Sequence, residues 1–440
     1  SIGEVDEAEQ HFRDALGFEA SNELALTGLA GLAMERGDTD AARQAVETLL
    51  DAAPANMSAL TMLGQILWAE GAVDLYRQRL DAAIAANPQA SGPRLLRGRV
   101  ELATGNADQA LSFVRESREL FPDLASFRHL EGLVLLRLGQ SESAMISLAR
   151  AAAAEPETPR YAFDLAVARL QATDYVGAVD AIDNYRRLRP EDPVGLSLEV
   201  NARLGQDQFD AASDAITAFA EANGDSAVVT ALRGDVALAA GRNDQAVQLF
   251  EQSAEASWNR GIALRLASAY MATGSDKASE PLARWLAEHP DDAPIRRSYG
   301  QILQTGGDRA RAIAEYERVL SENRNDPVAL NNLAWEYSLE GRPEALDLAK
   351  RAYDLRPDVG SIVDTYGWIL YKNGRLDEAT QMLREAVRLS PDNGEIRFHL
   401  ARALADAGER SEASQILANL LESDAAFPSR ADAQELAESL

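Results

Sequence analysis

Small, apolar and turn-forming residues recur along the chain in registers that stay in phase. A turn residue stands at Gly3, Gly37, Gly71, Gly105, Gly139, Thr173, Asp207, Gly241, Gly274, Gly307, Gly341, Gly374 and Gly408, in steps of 33 or 34 residues. Five places beyond most of these lies a small residue, such as Ala42, Ala110, Ala178, Ala246, Ala312 or Ala379. Seven places before lies another, such as Gly64, Gly98, Gly132, Gly234, Gly300 or Gly367, and Pro88, Pro122, Pro156, Pro190 and Pro391 fall seventeen beyond. Self-similarity at this period marks a repeat architecture. Within one repeat, Leu60, Leu63 and Leu67 share a face of a helix over 58–69, and Leu75, Leu80 and Ile84 point inward from a second over 73–86. The glycine between them turns the chain, and Pro88 ends the second helix because it cannot continue one. The small residue at Gly64 predicts a close approach of the two helix backbones. No hairpin of this size can bury its apolar stripe alone, so each must stack on its neighbours.

Twelve repeats beginning near Glu23, Met57, Ser91, Ala125, Pro159, Pro193, Ala227, Arg260, Ala293, Pro327, Gly360 and Gly394 fill 23–424. Residues 1–22 read as an incomplete repeat with only a second helix over 4–18 (Ala8, Phe12, Ala15), which predicts a parent chain continuing upstream. Residues 425–440 read as a capping helix with Ala433, Leu436 and Leu440 inward. The stretches 190–230 and 255–295 lack a turn glycine or shorten the repeat, and Pro281 falls early in a helix, so irregular stacking or a bend is expected there.

The runs Leu60-x-x-Leu63-Gly64-x-x-Leu67, Leu330-x-x-Leu333-Ala334-x-x-Tyr337 and Val363-x-x-Tyr366-Gly367-x-x-Leu370, the last followed by Ala379, Leu383, Ala386 and Pro391, resemble the tetratricopeptide repeat (TPR). The resemblance covers nearly the whole chain. It implies an all-α, right-handed TPR solenoid of about twelve helix–turn–helix repeats with a C-terminal capping helix, and a non-catalytic interaction scaffold with a concave groove. In that fold the second, fifth, ninth, twelfth and thirteenth places of each first helix line the groove. A narrower resemblance lies in Asn331-Asn332-Leu333-Ala334-Trp335, Asp364-Thr365-Tyr366-Gly367-Trp368, Gly394–Ala401 and Phe427-Pro428, which are similar to the TPR lipoproteins of exosortase/PEP-CTERM systems. That resemblance implies a periplasmic or outer-membrane-associated scaffold in exopolysaccharide export or protein sorting. It also implies a parent with a signal and a lipobox Cys upstream.

Composition narrows the chemistry. The 440 residues hold 43 Lys and Arg against 70 Asp and Glu, a formal charge of −27, which repels polyanions and speaks against nucleic acid as a partner. With no Cys there is no disulfide, thiolate nucleophile or zinc-thiolate site. No run of 18 apolar residues spans a membrane. His11, His129, His289 and His399 show no metal-ligand spacing, and His129 is expected to be a solvated groove residue. Carboxylate pairs are expected on solvated faces. No phosphate-cradling glycine loop or nucleophile elbow appears, so no enzyme, cofactor or metal site is expected.

What remains is the groove. Its candidates are Arg297, Gln301, Asn331, Trp335, Asp364, Trp368, Tyr371, Lys372, Phe398 and Arg402, with Glu395 beside them. Trp335 and Trp368 stand one repeat apart and should be neighbours, either as an exposed recognition strip or as filler between repeats. Tyr337 and Tyr366 fall on the core stripe. Arg297, Gln301 and Asn331 are compared with the TPR clamp for a peptide C-terminal carboxylate, which wants Lys and Asn where this chain has Arg297 and Gln301. Trp68 and Arg99 are expected to be isolated groove residues. The expected partner is a protein or peptide, with a polysaccharide as a further possibility through aromatic stacking. A cytoplasmic peptide-binding adaptor is the alternative to the periplasmic scaffold.

Overall fold

The computed structural model describes residues 2–422 and 427–440. The expected boundary between 424 and 425 lies outside them. Every regular element among the described residues is helical. The chain divides into two compact units, Ser1–Asp225 and Ser226–Leu440.

In the first unit the helix Ile2–Phe18 precedes six hairpins. These are Glu23–Glu35 with Thr39–Ala52, Met57–Ala69 with Val73–Ala86, Ser91–Ala103 with Ala107–Leu120, Ala125–Arg137 with Ser141–Ala154, Pro159–Gln171 with Tyr175–Leu188, and Pro193–Leu204 with Phe209–Asn223. In the second unit six more follow: Ala227–Ala239 with Asn243–Ala256, Arg260–Ala272 with Glu280–Glu288, Ala293–Thr305 with Arg309–Glu322, Pro327–Leu339 with Glu344–Leu355, Gly360–Lys372 with Leu376–Leu389, and Gly394–Asp406 with Arg410–Glu422. The helix Arg430–Ser439 closes the order. Within each unit the two helices of a hairpin pack on each other and each second helix packs on the first helix of the next hairpin, as the stacking argument requires.

The turn register has a conformational cause. Gly37, Gly71, Gly105, Gly139, Gly241, Gly274, Gly307, Gly341, Gly374 and Gly408 all adopt φ between 69° and 88°. The two non-glycine residues in that register, Thr173 (φ 57°) and Asp207 (φ 56°), are forced into the same left-handed region. Gly3 instead lies inside the first helix.

The small residue seven places earlier serves a different purpose from the one expected. A Cβ on Gly64 would lie 2.6 Å from the ring of Tyr76, and one on Gly300 would lie 2.7 Å from Tyr316. Both tyrosines are buried. A ring from the second helix therefore fills the space over the glycine, so side-chain packing rather than backbone approach demands the small residue.

The carboxylates also depart from expectation. Glu101, Glu131, Asp164, Glu199, Glu336 and Asp364 are buried, not solvated. Arginines reach them from adjoining helices: Arg118 bonds Glu131 at 2.5 Å, Arg186 bonds Glu199 thirteen residues on in the same way, and Arg309 reaches Glu336 at 2.8 Å. Burial raises the Glu336 carboxyl above its usual range, against the pull of Arg309. These pairs fix how successive hairpins meet, because a buried carboxylate without its partner is costly.

The expected irregularity within 255–295 takes the form of a 3₁₀ turn, Asp276–Ser279, in place of the first turn of a second helix. Pro281 then sits in the first turn of Glu280–Glu288, where its missing N–H costs nothing. At the other end, Ala433 and Leu436 of the closing helix bury against Leu417, Leu420 and Phe427. The Ser429 amide and hydroxyl donate to Glu395 at 3.0 and 2.5 Å, so Glu395 anchors this helix rather than facing a groove.

Candidate functional site

The first helices of the last three hairpins, Pro327–Leu339, Gly360–Lys372 and Gly394–Asp406, lie side by side. One aromatic face crosses them. Trp335 comes from the first, Trp368 and Tyr371 from the second, and His399 from the third. The His399 ring stacks on Trp368 at 4.0 Å and 18°, and tilts against Trp335 at 6.2 Å. The two indoles are thus joined through a histidine. Tyr371 stacks on Trp368 at 4.8 Å and 23°. Both His399 and Tyr371 are thus stacked on the Trp368 indole. Lys372 sets its ammonium 5.4 Å from the same indole. Trp335 and Trp368 are half-buried, held at their sides with part of each ring open.

A buried histidine–aspartate hydrogen bond positions the cluster. His399 Nδ1 lies 2.9 and 3.0 Å from the two oxygens of Asp364. A carboxylate only accepts, so the nitrogen facing it carries the proton. His399 Nε2 is 3.7 Å from Glu395. Tyr371 donates to Asp406 at 2.5 Å. Burial, reinforced by that bond and opposed by the nearby Arg402, pushes the Tyr371 hydroxyl up to about 12, so it stays a donor.

Two of the sequence candidates belong to the interior. Phe398 is 4% exposed and packs against Ala401, Leu417 and the closing helix. Asp364 is 7% exposed because it faces inward to His399. Both are corrected from groove residues to supports. Arg297 donates to Asp326 at 2.6 Å, and Asp326 caps the next helix through the Ala329 amide at 2.9 Å. A committed guanidinium of this kind is not set to capture a terminal carboxylate. Gln301 is exposed, and Asn331 bonds the neighbouring Asn332 at 3.2 Å. Trp335, Trp368, Tyr371 and Lys372 come together with Arg402 beside them, whereas Arg297 is held by Asp326. Tyr337 and Tyr366 are buried, in keeping with the core stripe.

His129 is also corrected. It is 7% exposed, bonds Asp164 at 2.7 Å and lies on the ring of Tyr161. The two histidine–aspartate pairs share one register with the partners exchanged, although His129 uses Nε2 and His399 uses Nδ1. His129 and Asp364 hold the fifth place of their repeats, and Asp164 and His399, each 35 residues on, hold the sixth place of the next. That spacing is the signal in the sequence that would have found them. Trp68 and Arg99 are not isolated: both line one pocket of the first unit. No cluster of three metal-ligating side chains occurs among the described residues, and none of their helices is long and apolar enough to cross a membrane.

Comparison with known proteins places this chain in a family. Sequence models of the tetratricopeptide repeat match residues 3–66, 237–302 and 370–437, a second set matches 129–193, 198–261 and 336–394, and a third matches 92–116. The chain belongs to the tetratricopeptide repeat family, and its fold is that of a protein-interaction scaffold. It is similar to the TPR repeat-containing protein PA4667 of Pseudomonas aeruginosa, 29% identical over 159 residues, which is 35% of this chain and 24% of that protein. It is also similar to the TPR repeat-containing protein Synpcc7942_0270 of Synechococcus elongatus, 30% identical over 125 residues, 27% of this chain and 31% of that one. The matched stretches thus span less than a third of either relative. Among solved structures, the APC/C hetero-tetramer Cut9-Hcn1 aligns at a TM-score of 0.47 and 14% identity, covering 96% of this chain and 97% of that one. A tetratricopeptide repeat protein from Parabacteroides merdae aligns at 0.39 and 16%, covering 56% and 97%.

Proposed function

We propose that the second unit holds an extended protein segment against the Trp335–Trp368–Tyr371 face, and that the chain serves as a periplasmic or outer-membrane-associated scaffold in exopolysaccharide export or PEP-CTERM protein sorting. The observation that carries the binding reading is the pair of half-open indoles, fixed by the buried His399–Asp364 pair on a face where folding does not call for aromatic residues. Rigid aromatic anchors with charged neighbours such as Lys372 are the usual makings of a recognition hot spot. The compartment rests on the resemblance of the C-terminal segments to exosortase-system TPR lipoproteins.

A glycan is the second reading, and the geometry favours a peptide over it. A pyranose stacks on an open ring face, whereas Trp368 already has the His399 and Tyr371 rings stacked on it. Titrating polysaccharide fragments and a binding peptide against wild type and the Trp335→Ala/Trp368→Ala variant separates the two. The peptide should lose at least tenfold in affinity; a peptide that binds both forms equally rejects the face as the site. In-cell crosslinking in a Gram-negative host tests the compartment, and recovery of cytosolic partners alone would favour the adaptor alternative.

A further inference from the structure

We propose that the first unit carries a second recognition pocket, which takes a bulky apolar side chain of a protein segment with an Asp or Glu beside it. The pocket lies between two neighbouring first helices, Met57–Ala69 and Ser91–Ala103, and has a volume of about 510 Å³, within the common range of ligand sites of about 300–1,000 Å³. Trp68, Leu96 and Ala103 form its walls, Tyr76 its floor and Arg99 its rim.

Three features of this pocket are left unused by the fold. Trp68 is 45% exposed, so its indole contributes little to the core and stands as an open apolar wall. Tyr76 reaches in from the second helix through the gap that Gly64 leaves, and is only 5% exposed. No hydrogen-bond partner for its hydroxyl exists among the described residues. Tyr316, which packs beneath Gly300 from four places further along its second helix, is by contrast satisfied: its hydroxyl donates to Gln304 at 3.0 Å and accepts from Asn332 at 3.3 Å. Burial pushes the Tyr76 hydroxyl up to about 12, so it remains protonated and can donate to a backbone carbonyl. Arg99 is exposed, and no carboxylate lies within ion-pair distance of it among the described residues.

That isolation stands out in a chain of charge −27. The nearby carboxylates are neutralised elsewhere: Glu70, at the C-terminal end of Met57–Ala69, is paired with Arg43, and Glu101 of Ser91–Ala103 with Arg77 and Arg97. Arg99 therefore faces solvent as an uncompensated cation, with the Tyr161 hydroxyl in its field. A guanidinium in this setting pairs best with a carboxylate. A purely apolar small molecule would leave both Arg99 and Tyr76 unanswered, and a polyanion would be repelled by the overall charge. A peptide that places an aromatic or large aliphatic side chain against Trp68 and Leu96, a carbonyl at Tyr76 and an acidic side chain at Arg99 satisfies all three. The pocket stands independently of the aromatic face in the second unit.

The test selects random dodecapeptides displayed on phage against the full chain, then measures the enriched sequences as synthetic peptides by fluorescence polarisation. Enriched peptides should share a large apolar residue adjacent to Asp or Glu. Binding should fall at least tenfold in Trp68→Ala and in Arg99→Glu, and severalfold in Tyr76→Phe. It should persist in Trp335→Ala/Trp368→Ala, which separates this pocket from the second unit's face. Trp68 and Arg99 are exposed, so circular dichroism of these variants should match wild type. Enriched peptides without an acidic residue, equal binding to wild type and Arg99→Glu, or no enrichment at all would each overturn the proposal.

Discussion

Replacing Thr173 by glycine should stabilise the first unit. Thr173 holds the left-handed turn between Pro159–Gln171 and Tyr175–Leu188 at φ 57°. Its hydrogen bonds are those of a glycine turn: the Thr173 amide donates to Leu170 at 3.1 Å and Asp174 to Arg169 at 2.9 Å, while Gly139 donates to Leu136 at 3.0 Å and Gln140 to Leu135 at 2.9 Å. With the bonds equal, the difference lies in backbone strain. A left-handed residue with a Cβ costs roughly 1–2 kcal/mol, and glycine's extra unfolded freedom returns roughly 0.5–1 kcal/mol of that. The net gain is about 0.5–1 kcal/mol. Hydrogen exchange of the amides in Tyr175–Leu188 should slow about two- to fivefold, and the urea midpoint should rise. Gly139→Thr should do the opposite, since a Cβ there meets nothing within 4 Å and only strain is added. Asp207→Gly should gain less, because aspartate tolerates this region better than a β-branched residue. If Thr173→Gly is neutral and Gly139→Thr harmless, the turn register has another cause.

The remaining predictions concern packing and charge. Gly300→Ala should destabilise the second unit by about 1–3 kcal/mol, because its Cβ would press on the fully buried Tyr316 ring, whereas Gly31→Ala, with open space around it, should be neutral or stabilising in thermal melts. His399→Ala should cost on the order of 3 kcal/mol by stranding Asp364; His129→Ala should cost less, since Asp164 keeps Arg160 at 2.5 Å, and a reversed order in urea melts would refute this. Burial pushes Tyr76, Tyr185, Tyr270, Tyr316, Tyr337 and Tyr371 up to about 12. A raised folded value means the native state binds the proton more tightly, so this stability is complete below pH 10 and is lost as pH climbs toward 12. Tyrosinate absorbance should therefore rise together with loss of helical circular dichroism, and early ionisation of all eleven tyrosines without unfolding would contradict it.

The sequence and the structure agree where one local rule repeats. The turn glycines were legible because left-handed backbone leaves few alternatives, and the exceptions at Thr173 and Asp207 kept the register visible. The Leu60–Leu63–Leu67 stripe was legible because helical periodicity alone sets it. The purpose of Gly64 was not: whether a small residue admits a backbone or the Tyr76 ring depends on a partner helix. Nor could composition show that Glu131 or Asp364 would be buried, since a carboxylate looks the same in sequence whether solvated or held by an arginine or histidine of another repeat. His399 reaches Asp364, and so its place between Trp335 and Trp368, through a 35-residue spacing that departs from the repeat length by one or two places. Phe398 and His399 are adjacent in sequence, and the first turns toward the closing helix while the second turns toward Asp364.

Site-specific photo-crosslinking in cells tests the binding face most directly. A crosslinking residue placed at Lys372, on the first-helix face beside Trp368, should capture a protein partner that the same residue at Gln381, exposed on the following second helix, does not. The capture at Lys372 should vanish in the Trp335→Ala/Trp368→Ala background. Equal capture at both positions, or capture at Lys372 that survives loss of both indoles, would contradict the account.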